Sequence, residues 1–438
     1  MATKTRIQLG AALVTALVAA FTTAPSHHSS TPAFGMELDS DEIGLMGFAG
    51  RVPDSKKPKL TAYFDQESYK PGDRAHLTIT DTAAHLTVQF FRTGTEDGPT
   101  IPSDVMLGSP VSQPRALGSV RGRYTTNLRI GDWPSGVYFA ELTSGARVGY
   151  APFVLGPRHY GEHKVAVVMP TETWQAYNFR DDNGDGTPDT WYAGWHTNHA
   201  RLVRPFLDRG VPPHWKQYDA PFVRWLVSTH RDVDYLSDQD LRRIRSGKQL
   251  AVYNAIIFSG HHEYVTSHEY DVVTQYRNLG GNLAFLAANN FFWKITIKND
   301  VMTRVAQWRD LGRPEAALIG VEYRANDRGG HRGAWIIQKN AQTETPWLFS
   351  GMSVEPGSGV SSGGIEIDST APASPKSVRV VAQIPNLYGP GFTAQMTYYE
   401  TPTGAKVFAA GAFSLAGSVW EPDVQTLMTN LWERISQP

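Results

Sequence analysis

The sequence has no cysteine among its 438 residues. This absence excludes disulfides, thiolate metal sites and every mechanism that needs a cysteine nucleophile. An excess of basic charge is also missing, since 41 Lys and Arg residues are matched by 42 Asp and Glu residues. Nucleic-acid-binding proteins normally carry such an excess or a basic stripe, so we expect no nucleic-acid partner. Gly, Pro, Trp and Tyr are abundant, which favours a loop-rich globular protein over a helical bundle.

The N-terminus has the pattern of a secretory signal. Lys4 and Arg6 precede an apolar run over residues 9–21, and small residues follow at 22–24. The run is too short to span a bilayer comfortably. We predict a signal peptide over residues 1–24 and a secreted, extracellular protein that leaves the membrane after cleavage; an uncleaved anchor is the alternative. No other segment approaches about 18 consecutive apolar residues.

Composition divides the rest of the chain into three parts. Residues 25–57 are rich in Ser, Pro, His and Gly and indicate a linker. Residues 58–157 contain short β-rich runs separated by turn signals such as Lys70–Asp73, which predicts an immunoglobulin-like (Ig-like) β-sandwich. Residues 160–438 follow a different pattern, typical of an α/β domain.

Buried strands alternate with helices in this last part, which implies a parallel sheet with right-handed crossovers. The predicted strands are Val165–Met169, Leu250–Phe258 and Leu283–Ala288, and the predicted helices are Ser237–Gly247 and Glu263–Leu279. Ligands of such sheets usually bind at the carboxyl ends of the strands. Two loops lie at these ends, Ser259–Glu263 and Asn289–Trp293.

The first of these loops carries the most chemistry. His261, His262, Glu263 and Tyr264 follow one another directly after the second strand. Histidine and glutamate are both metal ligands and proton carriers, although a solvated polar turn is the alternative. The zincin helix motif is excluded, because it needs a second histidine at position 266, which is threonine.

A second group of motifs is aromatic and completes an ordered series with the first loop. A phenolate ligand suits mainly a hard, strongly Lewis-acidic ion such as ferric iron. The series resembles the C-terminal catalytic region of the N,N-dimethylformamidase large (beta) subunit and its secreted relatives, over roughly residues 160–435. It consists of Thr173–Asn178, a tyrosine before Arg201–Phe206, Gly260–Tyr264 and Gly280–Trp293.

The resemblance implies a glutamine-amidotransferase-like α/β fold with a mononuclear iron held by two tyrosines and a glutamate. Tyr177 falls on the first tyrosine and Glu263 on the carboxylate. Tyr192 is our choice for the second tyrosine, with Tyr218 as the fallback. The resemblance also implies a small partner subunit or a homo-oligomer.

Three further residues are similar to groups near that iron. His261 matches a histidine that would orient or activate water. Asn289 matches an asparagine that could donate to a developing oxyanion, and Glu366 is similar to a glutamate proposed to work with the histidine. Because the chain has no cysteine, thiol acyl transfer is excluded, and amide chemistry would use metal-bound water.

An acidic loop between the two tyrosines predicts a second ion. Asp181, Asn183, Asp185 and Asp189 occupy the first, third, fifth and ninth positions of a calcium loop, with glycine at the sixth. The usual glutamate at the twelfth position is replaced by Tyr192. We favour a structural calcium over a bare polar turn, and its binding would also position Tyr192.

The sequence therefore predicts an iron-dependent hydrolase that acts on an amide-type, non-peptide C–N bond of a small molecule. One alternative is a non-catalytic extracellular module that binds glycans or cell-wall polymer by stacking. The aromatic residues considered for stacking are Trp174, Trp191, Trp195, Phe291, Phe292 and Trp293. A second alternative is a zinc hydrolase, because His261 and Glu263 suit that ion.

Overall fold

The computed structural model describes residues 54–96, 103–193, 197–326, 331–352 and 357–437. The predicted signal peptide and almost all of the predicted linker lie outside these residues. All the described residues belong to one compact unit, so the domain boundaries remain predictions. No helix among the described residues has the length and apolar character needed to cross a bilayer.

The N-terminal part consists of two sheets that share one apolar core. One sheet has the order β1-β3-β7, and the other has the order β2-β9-β8-β4-β5, with β6 also paired to β4. Buried and exposed side chains alternate along β7, as expected for a sheet with one face in the core. The strands are β1 (Ala62–Phe64), β2 (Ser68–Tyr69), β3 (Arg74–Ile79), β4 (Ala83–Arg92), β5 (Ser109–Pro110), β6 (Arg115–Val120), β7 (Tyr124–Arg129), β8 (Gly136–Ser144) and β9 (Arg147–Leu155).

Two further sheets are built from the remaining strands. These strands are β10 (Val165–Met169), β11 (His199–Arg201), β12 (Asp234–Ser237), β13 (Ala255–Phe258), β14 (Tyr264–Thr266), β15 (Asn282–Phe285), β16 (Trp293–Lys298), β17 (Val301–Gln307), β18 (Glu322–Asn326), β19 (Arg332–Ile337), β20 (Gly359–Ser369), β21 (Arg379–Ile384), β22 (Ala394–Glu400), β23 (Lys406–Ala409) and β24 (Ala412–Phe413).

The helices are short, apart from the one that ends the chain. They are α1 (Thr171–Ala176), α2 (Ala220–Ser228), α3 (Asp238–Arg243), α4 (Gly247–Leu250), α5 (Ser267–Asn278), α6 (Ala316–Ile319), α7 (Ala341–Glu344) and α8 (Pro422–Ile435), with 3-10 turns at Asp208–Gly210 and Arg309–Leu311 and a π-helix at Trp215–Asp219.

The main sheet is mixed. Its strands follow the order β12-β10-β13-β15-β23-β22-β21-β19-β20-β18, and β24 also pairs with β20. The pairs from β12 to β23 are parallel, and the pairs beyond β23 are antiparallel. The predicted parallel sheet is therefore confirmed for its central strands, while its antiparallel half carried no clear signal. The Ig-like and amidotransferase-like topologies remain predictions.

The predicted strand Val165–Met169 has the same bounds as β10. β13 and β15 are shorter than the strands predicted there. The second strand begins at Ala255 because residues 247–250 form α4 instead. The side chain of Ser237 caps α3 as predicted, in a capping box with Asp240.

The predicted helix over Glu263–Leu279 begins too early. Residues 264–266 form β14, and α5 begins at Ser267. The cause is a second capping box, in which Thr266 accepts from the backbone N–H of Glu269, and the Glu269 carboxylate accepts from the backbone N–H of Thr266. Consequently Glu263 belongs to the loop after β13, and Tyr264 begins β14.

β14 belongs to a small four-stranded sheet with the order β11-β17-β16-β14. This sheet packs beside the carboxyl end of the main sheet around its own apolar core, which contains Tyr177, Trp191 and Tyr264. Three aromatic side chains from three segments thus meet at the edge where ligands of parallel sheets bind.

A buried ion network joins the N-terminal sheets to the main sheet. We call it the Arg242 cluster, and it consists of Arg242, Glu67, Glu172, Asp238 and Glu269. The Arg242 guanidinium lies 2.7 Å from Glu67 Oε1 and also pairs with Glu172. Thr171 is the first residue of α1, and its hydroxyl donates a hydrogen bond of 2.5 Å to Glu67 Oε2. The network fixes the start of α1.

Candidate functional site

The first candidate ligand, Tyr177, caps the C-terminal end of α1. α1 follows β10 directly, so the carboxyl end of a central strand delivers this tyrosine. Its side chain is buried, and its hydroxyl donates a hydrogen bond of 2.8 Å to Glu263 Oε2. The two residues are 86 positions apart in the chain.

Tyr192 reaches the same carboxylate oxygen from a different segment. Its hydroxyl lies 2.9 Å from Glu263 Oε2 and 3.0 Å from the Tyr177 hydroxyl, and the two phenol rings are 4.5 Å apart. Thr190 ties this segment to α1, because its hydroxyl donates to the Ala176 carbonyl at 2.6 Å. The chosen second tyrosine therefore lies beside the first.

The loop after β13 holds Glu263 through its backbone. The Glu263 N–H donates to the Thr173 hydroxyl at 3.2 Å, and its carbonyl accepts from the N–H groups of Phe292 and Trp293. The loops predicted at the ends of two strands are thus joined by hydrogen bonds, and the first of them is tied to α1.

The fallback tyrosine, Tyr218, occupies a neighbouring position. Its ring packs between His214, at 5.3 Å, and Phe413, at 5.0 Å. The Phe413 ring in turn contacts His261 at 4.7 Å. The hydrogen bonds to the Glu263 carboxylate come from Tyr177, Tyr192 and Tyr264, and the choice of Tyr192 over Tyr218 as the second tyrosine stays a prediction.

His261 and Glu366 complete the cluster of oxygen and nitrogen atoms. His261 Nε2 lies 3.5 Å from Glu263 Oε2 and 3.6 Å from Glu366 Oε2. All three side chains are buried. Neither His261 Nε2 nor Glu366 Oε2 has a hydrogen-bond partner among the described residues. Buried polar atoms of this kind normally bind a partner, so they indicate a place where a ligand or water belongs.

A distortion of β20 directs Glu366 into the site. Ile365 has φ of 69°, which is a rare conformation for a β-branched residue. The pairing of β20 with β24 shifts register between Gly364 and Ile367. Such irregularities re-aim side chains next to active sites, and backbone strain concentrates at functional sites.

Asn289 lies in the loop after β15, also with a positive φ, of 55°. Its backbone N–H donates to both carboxylate oxygens of Asp368, at 2.9 and 3.1 Å. Its side chain hydrogen-bonds to Glu366. Burial raises the pKa of the Glu366 carboxyl, and this hydrogen bond lowers it. Asn289 thus contacts Glu366 directly.

The electrostatics of the site are those of a buried acidic centre. Burial raises the pKa of Glu263 to about 7, even though the hydroxyls of Tyr177, Tyr192 and Tyr264 hydrogen-bond to it and lower it. Burial and the charge of Glu263 raise the pKa of the Tyr177 and Tyr192 phenols well above their ordinary value. Burial lowers the pKa of His261 well below its ordinary value, so its imidazole is neutral.

His262, the residue after His261, lies in a different environment from His261. Its Nδ1 lies 3.2 Å from the Gly260 carbonyl, and its ring packs edge-on against Phe258 at 4.9 Å. Its backbone N–H donates to Asn290 Oδ1 at 3.2 Å. These contacts are typical of a side chain that holds the loop in place.

Three further residues had no predicted role at the metal site. Tyr264 contacts Tyr192, Trp191 donates to the Tyr264 hydroxyl, and the His214 ring packs edge-on against Tyr177 at 5.9 Å. His214 has φ of 61° and precedes the π-helix, a combination found at functional sites. The position of Tyr264 directly after Glu263 was the one available sequence signal.

Gly359–Gly363 matches the GxSxG pattern of serine hydrolases, a match that was overlooked in the sequence. A nucleophile elbow needs a sharp turn from a strand into a helix. Ser361 instead lies inside β20, which continues to Ser369 and pairs antiparallel with β19. The pattern therefore does not form an elbow.

The acidic loop folds around its own backbone. The Asp181 carboxylate accepts hydrogen bonds from the N–H groups of Gly184 and Gly186, at 2.7 and 2.8 Å. Asp189 accepts from the N–H of Asp182, and Asn183 donates to it at 3.3 Å. Among the described residues no three His, Asp or Glu side chains form a ready metal site. Calcium at this loop remains a prediction.

Residues 115–424 match the family described as N,N-dimethylformamidase beta subunit-like, C-terminal, and the chain belongs to this family. It is a dimethylformamidase-like protein. The match begins at residue 115, the start of β6, whereas the resemblance was expected to begin near residue 160. It therefore includes four strands of the N-terminal sheets, β6 to β9. A search of curated proteins found no significant match.

Two similar solved structures each align with about a quarter of the chain. Superoxide reductase (neelaredoxin) from Ignicoccus hospitalis is 14% identical, with a TM-score of 0.15, over 24% of this chain and 83% of its own. The sulfur carrier protein SoxY from Chlorobium limicola f thiosulfatophilum is 9% identical, with a TM-score of 0.14, over 24% of this chain and 82% of its own. TM-scores this low carry no argument about function.

Proposed function

We propose that this protein hydrolyses an amide-type C–N bond of a small molecule, using a ferric ion held by Tyr177, Tyr192 and Glu263. The observation that carries the proposal is the meeting of three acidic oxygens. Two phenol oxygens and one carboxylate oxygen lie 2.8 to 3.0 Å from one another. Family membership supports amide hydrolysis as the reaction.

The donor set fits a hard cation. Phenol and carboxylate oxygens are hard donors, which are the ligands that a hard cation would take. The same oxygens are buried, and the pKa of each of these three groups is raised above its ordinary value. A cation at this point would favour their ionised forms. Phenolate oxygens suit ferric iron better than zinc, so the zinc alternative gains no support.

Such an ion polarises a substrate carbonyl and lowers the pKa of a bound water. His261 is the group that would accept the proton of the attacking water, because its imidazole is buried and neutral. Glu366 lies 3.6 Å from His261 Nε2 and would orient the imidazole and stabilise its charged form. General base catalysis of this kind typically contributes about 10²–10⁴-fold.

Asn289 has two proposed roles. Its contact with Glu366 supports the first, which is to hold that carboxyl group beside His261. The second is donation to the oxyanion, as expected from the sequence; removing such a donor typically costs about 2.7–4 kcal/mol.

The surroundings of His261 support a small substrate. A narrow cleft beside it is lined by bulky side chains from three segments, with Trp174, Tyr177, Pro213 and Tyr218 among them. Rings and prolines close this cleft on several sides. Secretion, a partner subunit and a homo-oligomer remain predictions from the sequence.

The glycan-binding alternative needs exposed aromatic rings. Trp174, Trp191, Phe291 and Phe292 are buried, so they offer no free face for stacking on a sugar. Trp293 is half-buried, and Trp195 lies outside the described residues. No feature of the described aromatic side chains favours this alternative.

The test is metal analysis with visible spectroscopy on the purified protein. We expect close to one iron per chain and a tyrosinate-to-iron charge-transfer band. Glu263→Gln should lose the iron, the band and amide hydrolysis. Its iron affinity should fall by more than the 10–100-fold that is typical when a residue beside the metal ligands is changed. His261→Asn should keep iron and band but lose hydrolysis by about 10²–10⁴-fold. A colourless, iron-free wild-type protein would refute the proposal.

A further inference from the structure

The tyrosine cluster, which we define as Tyr177, Tyr192, Glu263 and Tyr264, contains one phenol more than the proposed ligand set uses. Tyr264 follows Glu263 in the chain and is 1% exposed. Its hydroxyl makes a close hydrogen bond with the hydroxyl of Tyr192. The two rings lie 6.5 Å apart at an angle of 79°, so contact is made through the oxygens.

The other hydrogen bonds of the two hydroxyls favour Tyr264 as the donor in this contact. The Trp191 indole N–H lies 3.1 Å from the Tyr264 oxygen. An indole nitrogen can only donate, so the Tyr264 oxygen is an acceptor in that contact. A phenol has one proton, and the Tyr192 hydroxyl donates its own to Glu263 Oε2 at 2.9 Å, so the Tyr192 oxygen is left to accept from Tyr264.

The support behind Tyr264 is rigid. Trp191 is fully buried, and its ring packs 4.9 Å from the Tyr264 ring. The guanidinium of Arg304 lies over the outer face of the same indole, 5.5 Å from its ring centre. A chain of contacts thus runs from the small sheet through Trp191 to Tyr264 and ends at Tyr192.

We infer that Tyr264 is a positioning residue that donates a hydrogen bond to the Tyr192 oxygen and holds it at the proposed iron site. This inference rests on the proposed function. A phenolate that accepts a hydrogen bond transfers less charge to a bound cation, so the cation remains a stronger Lewis acid. Groups that contact metal ligands in this way typically change metal affinity by 10–100-fold.

The test compares Tyr264→Phe with wild type, with Tyr192→Phe and with a control, Tyr276→Phe. The Tyr276 hydroxyl is equally buried but donates to the Tyr253 carbonyl, at 3.2 Å. Iron content, affinity by chelator competition and the position of the visible band are measured for each. For Tyr264→Phe we expect retained iron, affinity weaker by about 10–100-fold and a band at longer wavelength, because the Tyr192 phenolate loses its hydrogen bond. Tyr276→Phe should match wild type.

Two results would overturn the inference while leaving the proposed function intact. Tyr264→Phe with the band and affinity of wild type would show that the hydroxyl has no effect on Tyr192. Complete loss of iron, as expected for Tyr192→Phe, would make Tyr264 a ligand itself. An iron-free wild-type protein would refute the proposed function and the inference together.

A second variant covers the case in which Tyr264→Phe does not fold, as judged by circular dichroism. Trp191→Phe removes the donor that directs the Tyr264 proton, and it keeps an aromatic ring in the core. We expect the same shift of the band, with a smaller size. An unshifted band in folded Trp191→Phe would then contradict the inference.

Discussion

The Arg242 cluster and the tyrosine cluster both bury several acidic side chains, but they balance the charge differently. In the first, one guanidinium pairs with Glu67 and Glu172, and Glu269 lies 4.0 Å away. In the second, the hydrogen bonds to Glu263 come from phenols. The charge of Arg304 also lowers the pKa of Glu263, but its effect is smaller than that of burial or of these hydrogen bonds.

This difference separates a structural network from a binding site. A buried ion network that contains its own cation has no need of another, whereas a cluster of acidic oxygens with protonatable phenols can accept one. The two clusters lie at the two ends of α1, since Thr171 and Glu172 begin the helix and Tyr177 caps it. Perturbing each cluster separately therefore tests their distinct roles.

The largest expected effect is on stability, from Arg242→Met. Removing one partner from a buried ion network leaves uncompensated charges and typically costs about 3–5 kcal/mol. We expect a loss of that size in the free energy of urea unfolding, with iron content per folded chain unchanged. Arg243→Met is the matched control, because Arg243 is exposed and contacts Gln66 at the surface, and it should lie within about 0.5 kcal/mol of wild type. Equal effects of the two variants would contradict the comparison.

A smaller effect concerns pH. Burial and the charge of Glu269 raise the pKa of Glu172 well above its ordinary value of 4.5. The folded state then binds the proton more tightly than the unfolded state, so stability falls as the pH rises above 4.5. Glu172→Gln cannot ionise and should flatten this fall, measured by urea unfolding across the pH range. Surface Glu344→Gln should follow wild type, and a wild-type slope in Glu172→Gln would argue against the coupling.

The smallest effect is expected from calcium at the acidic loop. A weak site of the extracellular type, half-saturated, would stabilise the folded chain by about 0.4 kcal/mol. The measurement is the thermal midpoint of unfolding with added calcium or with a chelator, together with iron content. Asp181→Asn should abolish the response. An unchanged midpoint and iron content after calcium removal would remove the reason to place calcium there.

The central strands and their loops could be predicted because their signals are local. The run Val165–Met169 is apolar throughout, and the loops with His261 and Asn289 follow buried strands directly. The meeting of Tyr177, Tyr192 and Glu263 depended on the family resemblance, since 71 positions separate Tyr192 from Glu263. Nothing in the composition of those segments encodes such a contact.

Other features depend on distant pairings that a single sequence does not reveal. Arg242 contacts Glu67, which lies 175 positions earlier in the chain. The aim of Glu366 depends on the register shift beside Ile365, whose β-branched side chain gives no hint of a positive φ. The start of α5 was the exception, because the capping box at Thr266 was present in the sequence and overlooked.

The contact between Glu67 and α1 bears on how this protein can be dissected. Glu67 precedes β2 in the N-terminal sheets, and Ser135 of the same part accepts a hydrogen bond of 2.7 Å from the backbone of Tyr235 in β12. A fragment that begins at residue 160 would lose both of these contacts. Biochemical work on the isolated C-terminal portion would thus report on a protein in which α1 and β12 lack their partners, and the two portions are best expressed and assayed as one chain.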